Sequence, residues 1–329
     1  MQSTELFERW LTERSNDARS PLSLDAAKPY RYIWRSWCKW LDKVHPQIAA
    51  PNAGTGYLQA TPQDVQLFLA NGPSPSSTRV SKTFPISEVT RRRYWRVLDC
   101  VYQHALNKEL MQKNPVRELS ENDKPKSEKS EGLVLTRLHF EAMYQALPAG
   151  DTVWEVRDRA ILLLLLEAAL TPGEVCGVLT SQVHPDSREP SRLCLSITGA
   201  RYWQSREMVL SDLASTALAA WLTIRSKITF PTEAIFVTQQ HEDMSGRPLF
   251  YLVAKTVAAS AVAAKLPVPY HVGPQVLRNT RIVLWLNDGI EQSEVVKLAG
   301  YKDAKSFRGL LRHIQVRVAV PKSGFKIVP

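Results

Sequence analysis

The chain has 329 residues, 44% hydrophobic and 22% charged, enough for about two globular domains of roughly 100–200 residues each. A net charge of +10 favours a polyanionic partner or an anionic surface. The cysteines Cys38, Cys100, Cys176 and Cys194 are scattered without a CxxC pair, the N-terminus is polar, and the apolar run from Ala160 to Leu166 is too short to cross a bilayer. These features argue against a disulfide framework, a signal peptide and a membrane span, and they suit a cytoplasmic, nucleoid-associated protein.

In chain order, residues 4–14 pair Leu6 with Trp10 and Phe7 with Leu11 at helical spacing. Residues 21–43 form a longer amphipathic helix with Trp34 and Trp37 inside, and Arg31, Arg35 and Lys39 recur along another face. That stripe fits phosphate tracking and an ordinary solvated face equally well. Thr61-Pro62-Gln63-Asp64 starts a helix: Thr at the cap, Pro in the first turn, an acid near the positive end. A helix from Ser87 to Asn107 follows, with Arg91, Arg92, Arg93 and Arg96 in its first turns, the strongest local basic signal in the chain. Residues 118–132 are dense in charge, Ser and Pro, and predict a linker. The expected organisation is a helical, SAM-like core-binding domain over 1–117, a charged linker over 118–132, and a second domain over 133–329.

The second domain opens with a helix carrying Thr136, Phe140 and Tyr144, then a buried helix over Ala160–Leu170. Thr171-Pro172-Gly173-Glu174 breaks and restarts the chain. Leu193–Ile197 and Glu207–Leu210 alternate as strands around a turn that contains Ala200 and Arg201. Leu213–Ile224 is a helix, Ala234–Val237 a short strand, and Leu249–Leu266 an Ala-rich helix. Pro274 begins a helix that ends near Gly289, and Val295–Leu298 begins another that Gly300 stops. Ser306–Ile314 is expected to be a last helix. Arg278 lies among apolar neighbours, so it needs a phosphate or a carboxylate as a partner.

Several stretches are similar to signatures of the tyrosine recombinase (phage integrase) family. Arg157-Asp158-Arg159-Ala160-Ile161 leads into the buried helix. Leu170-Thr171-Pro172-Gly173-Glu174-Val175, Pro274-Gln275-Val276-Leu277-Arg278 and Leu298-Ala299-Gly300-Tyr301 resemble three catalytic motifs in order, and Asn114-Pro115 precedes the linker as is usual there. The resemblance covers nearly the whole chain. It implies a mainly α fold with a small β-sheet (α+β), a helical core-binding domain followed by a tyrosine-recombinase-like catalytic-fold domain.

In that family a tyrosine hydroxyl attacks a scissile phosphate while two arginines bind its oxygens. Carried over, the first arginine falls on Thr171, the hairpin lysine on or near Ala200, the first histidine on Gln275, the second arginine on Arg278, the second histidine on Tyr301 and the nucleophile on Leu310. The resemblance therefore implies a protein that is not an enzyme: it holds duplex DNA as a clamp, a regulator or accessory factor of a mobile element or plasmid. The implied phosphate-binding residues are Arg91, Arg92, Arg93, Arg96, Arg201, Arg206, Arg278 and Lys297. The alternatives are an active recombinase with rewired residues, Tyr301 being the available hydroxyl, and an interaction partner of an active recombinase. The cation-rich segment from Lys302 onward is a candidate for self-association or docking on such a partner. No cofactor is expected. The histidines never fall at metal-ligand spacing, so no metal is expected either.

Overall fold

The computed structural model describes residues 2–17, 22, 24–46, 56–71, 88–125, 133–199, 201–228, 231–270 and 272–314. The chain divides into two compact units, Met1–Ser130 and Glu131–Pro329.

The first unit holds helices α1 (Ser3–Ser15), α2 (Leu24–Val44), α3 (Pro62–Asn71) and α4 (Glu88–Asn107). Their apolar faces meet in an aromatic core of Phe7, Trp10, Trp34, Trp37, Phe68 and Tyr102. Its polar atoms are satisfied in series: Trp37 Nε1 donates to Tyr102 Oη at 2.9 Å, and that hydroxyl donates to the Tyr57 carbonyl at 3.0 Å. At the start of α3, Thr61 Oγ1 accepts the Asp64 N–H and Asp64 Oδ2 accepts the Thr61 N–H, so the expected cap is present. The expected linker starts too early. Leu119 is buried in the core and Gln66 Nε2 donates to Asp123 Oδ1 at 2.7 Å, so residues 118–125 fold onto the first unit.

The second unit runs α5 (Arg137–Gln145), α6 (Val153–Glu167), α7 (Pro172–Gly177), strands β1 (Val183–Pro185), β2 (Leu193–Ile197) and β3 (Arg206–Val209), then α8 (Asp212–Arg225), α9 (Gly246–Ala263), α10 (Pro274–Asn287) and α11 (Gln292–Leu298). Helix α6 is the hub. Every side chain from Ala160 to Leu166 is buried, and α7, α8 and α10 pack around it. The strands form one antiparallel sheet in the order β1-β2-β3, with Leu195 opposite both Val183 and Met208 on the core side.

Two expectations are corrected here, and one strand was missed. The short strand β1 went unread, because three residues ending in Pro185 carry almost no periodicity. Ala234–Val237 is buried but joins no sheet; it makes only the isolated bridges Leu179–Ala234 and Val237–Asp243. Ser306–Ile314 is not one helix but two short 3-10 turns, Ala304–Phe307 and Leu311–His313, with Leu310 between them. Among the described residues no helix is long and apolar enough to cross a membrane.

Candidate functional site

The second unit contains a cavity of about 410 Å³ where α7, the β2–β3 hairpin, α10 and the end of α11 converge; its walls include Thr171, Thr198, Gln204, Arg278, Gly300 and Tyr301. The position read as a missing arginine, Thr171, has a local structural task. Its hydroxyl accepts the Glu174 N–H at 3.1 Å while Glu174 Oε2 accepts the Thr171 N–H at 2.7 Å. This reciprocal capping box starts α7, with Pro172 at its first turn.

Glu174 then turns its carboxylate to Arg206, which donates from Nη1 at 2.7 Å and Nη2 at 3.1 Å. Arg206 also donates to the Leu298 and Gln204 carbonyls at 2.8 and 2.9 Å. Its side chain is only 7% exposed, so the expectation of Arg206 as a phosphate binder is corrected: its donors are spent inside the fold. Burial alone would raise the Glu174 carboxyl, but the hydrogen bond and charge of Arg206 outweigh it, aided by the Thr171 N–H and by Arg278, and hold it below the ordinary value. Gly300 closes this network. Its φ of +64° is a left-handed conformation, and a Cβ there would sit 2.7 Å from Arg206 Nη1.

Arg278 is almost fully buried on α10 and donates to the carbonyls of Ala169 and Ala299. The expected carboxylate does not take the main role; the nearest Glu174 oxygen is 4.0 Å away. Ala169 holds a φ of +46°, unusual for a residue with a Cβ, and its carbonyl is one that Arg278 engages. Burial lowers the affinity of Arg278 for its proton, opposed by Tyr301 and Glu174. Its guanidinium lies 5.0 Å from the centre of the Tyr301 ring, and both residues line the cavity. Two carbonyls leave further guanidinium donors at the cavity wall, so the site can offer a cation and a phenol to one anionic group.

The remaining sequence-derived positions scatter. Leu310 is buried in the core, with no hydroxyl at that place. Gln275 is exposed and bonds Asn279 at 3.0 Å. Ala200 lies outside the described residues. Arg201 is exposed on the hairpin with its guanidinium 5.2 Å from the Trp203 ring centre, and Lys302 approaches the same ring at 5.7 Å. Lys297 is exposed on α11. In the first unit Arg92, Arg93 and Arg96 are exposed on α4, whereas Arg91 pairs with Glu88. Arg31, on the α2 stripe, is held by Glu8 at 2.7 and 2.8 Å, the ordinary reading of that face. Sequence reasoning missed the Arg206–Glu174 pair, which joins a hairpin to a helix cap across 32 residues. It also missed a group away from the cavity, His184, Cys194 and Glu207, which only the sheet register brings together.

With this geometry established, comparisons with known proteins converge. Residues 134–310 match the phage integrase family. The tyrosine recombinase XerC of Corynebacterium glutamicum is 26% identical over 151 residues, 46% of this chain and 45% of that protein. The tyrosine recombinase XerC of Bacillus subtilis is 22% identical over 260 residues, 76% of each chain. The chain thus spans less than half the length of the first relative and about three quarters of the second. Among solved structures, the Tn1549 transposon integrase in complex with transposon right end DNA aligns with a TM-score of 0.63 and 15% identity over 94% of this chain and 95% of that one. The XerH site-specific recombinase bound to difH substrate aligns with a TM-score of 0.62 and 14% identity over 95% and 83%. At such identity the structural likeness establishes the fold: mainly helical with a small antiparallel sheet, as the sequence indicated. One expectation is overturned. Thr171 and Leu310 implied a protein that is not an enzyme, but the matched family is one of recombinases and the relatives are named tyrosine recombinases.

Proposed function

Because the chain belongs to the phage integrase family, we propose that it is a recombinase that binds duplex DNA and seats one backbone phosphate in the cavity where Arg278 and Tyr301 meet. The cavity itself is the observation that carries this reading: a buried guanidinium with donors to spare and a phenol beside it, open to a polyanion. Exposed cations supply the long-range attraction: Arg92, Arg93 and Arg96 in the first unit, Arg201, Lys297 and Lys302 in the second.

The family's chemistry needs a tyrosine hydroxyl against phosphorus, and Tyr301 is the tyrosine that lines this cavity. On this reading Tyr301 Oη forms the bond to phosphorus, the bond to one deoxyribose oxygen breaks, and that oxygen leaves with the proton. Arg278 offsets the charge that builds on the nonbridging oxygens. The DNA complexes of the transposon integrase and of XerH support a duplex carrying a recombination site, in a mobile element or plasmid, as the substrate. The cation-rich segment from Lys302 onward is the proposed contact to a second recombinase subunit, which light scattering with and without DNA measures.

Gel shifts with random-sequence duplexes test the binding. Retention at low salt that weakens steeply as salt rises supports it; no retention at low salt contradicts it. Tyr301→Phe should bind as the parent does and form no covalent adduct with a nicked, recombination-trapping duplex.

A further inference from the structure

The sheet has a second face, turned away from the core. Leu195 and Ile197 of β2 point inward, so Cys194 and Ser196 point to the other side. His184 of β1 stands directly across from Cys194, and Glu207 of β3 stands directly across from Ser196. This register gathers an imidazole, a thiol and a carboxylate from three strands.

Their donor atoms all lie within 4.8 Å of one another. Cys194 Sγ is 3.0 Å from Glu207 Oε2, and His184 Nε2 is 3.3 Å from the same oxygen. Ligand bonds of about 2.0–2.3 Å in a tetrahedron put neighbouring donors roughly 3.3–3.8 Å apart, so small side-chain rotations suffice. The surroundings orient the ligands. His184 is held at both ring nitrogens, Nδ1 3.2 Å from the Pro185 carbonyl and Nε2 2.8 Å from Ser196 Oγ; a metal would take the Nε2 position, with the ring proton then on Nδ1, where the Pro185 carbonyl accepts it. Ser196 Oγ donates to Glu207 Oε1 at 2.6 Å and fixes the carboxylate.

We propose that His184, Cys194 and Glu207 form a divalent metal site of the zinc class, with water in the fourth position. One thiolate, one imidazole and one carboxylate suit Zn²⁺ and disfavour Mg²⁺ or Ca²⁺, which prefer oxygen donors alone. On binding, the Cys194 S–H bond gives way to an S–metal bond and the proton leaves to solvent. The consequence is mechanical. The metal ties β1, β2 and β3 together at the base of the hairpin whose Thr198, Gly199 and Gln204 line the cavity. Spacing along the chain hides this site, because each ligand sits on its own strand.

The test uses the full chain stripped with chelator and titrated with Co²⁺, whose thiolate complexes absorb by sulfur-to-metal charge transfer. The expected result is one equivalent bound with that band, displaced by Zn²⁺. Cys194→Ser should abolish the band. His184→Ala and Glu207→Gln, on side chains exposed enough to leave the fold intact, should each lose binding. Ser196→Ala, at a positioning residue, should weaken binding about 10–100-fold. Cys100→Ser, in the first unit, should leave the band unchanged. No band at equimolar Co²⁺, a band that survives in Cys194→Ser, or one lost in Cys100→Ser would overturn the proposal.

Discussion

Two groups of arginines in this molecule have opposite fates. Arg206 and Arg278 are buried in the second unit, with their hydrogen bonds directed at a carboxylate and at backbone carbonyls. Arg92, Arg93 and Arg96 stand exposed on α4 of the first unit. Both groups were expected from the sequence to bind phosphate, yet they differ in burial. The first group is tied into the fold, with Arg278 at the cavity wall; the second is turned to solvent. Substitutions should therefore move stability in one region and salt-dependent binding in the other.

The largest effect is expected at Glu174. Glu174→Gln leaves the Arg206 guanidinium buried without its counter-charge and should lower unfolding free energy by about 3–5 kcal/mol in urea titrations. The same carboxylate gives a pH signature. Its folded-state pKa is depressed, so its contribution is fully present above the unfolded value of 4.5 and disappears as pH falls through the lower folded value. The parent should lose stability in acid faster than Glu174→Gln; equal acid slopes would sink the assignment.

A smaller effect is expected at Gly300, where alanine meets both a left-handed backbone and the Arg206 guanidinium. Gly300→Ala should cost about 1–2 kcal/mol, read from the same urea titrations. The smallest stability effect belongs to the exposed group: replacing Arg92, Arg93 and Arg96 together by alanine should change stability by no more than about 0.5 kcal/mol per site. The same variant should flatten the plot of log affinity against log salt by about 0.9 for each phosphate no longer neutralised. A triple variant with an unchanged salt slope would show that α4 does not meet DNA.

How legible this was depended on range. Apolar periodicity marked most of the helices, and Thr61 and Thr171 marked their own starts through the residues three places on. The family signatures located Arg278, Gly300 and Tyr301, which the fold does bring to one cavity. What could not be read was pairing across distance. Nothing near Arg206 in the sequence announces Glu174, and nothing near His184 announces Cys194 or Glu207. Arg278 was rightly judged to need partners, but backbone carbonyls have no sequence signature, so the carbonyls of Ala169 and Ala299 were not foreseen. The burial of Leu310 follows from its apolar side chain. The conclusion drawn from Thr171 and Leu310 together, that the protein is not an enzyme, is overturned by the matched family and by relatives named tyrosine recombinases.

Tyr301 as the group that attacks a backbone phosphate held by Arg278 is the central claim. Mass spectrometry of a nuclease-trimmed adduct, formed with a nicked duplex carrying a site selected by binding, tests it most directly. A nucleotide remnant on the peptide containing Tyr301, absent in Tyr301→Phe, is the predicted result; no adduct with such a site, or a remnant on any other residue, would contradict it.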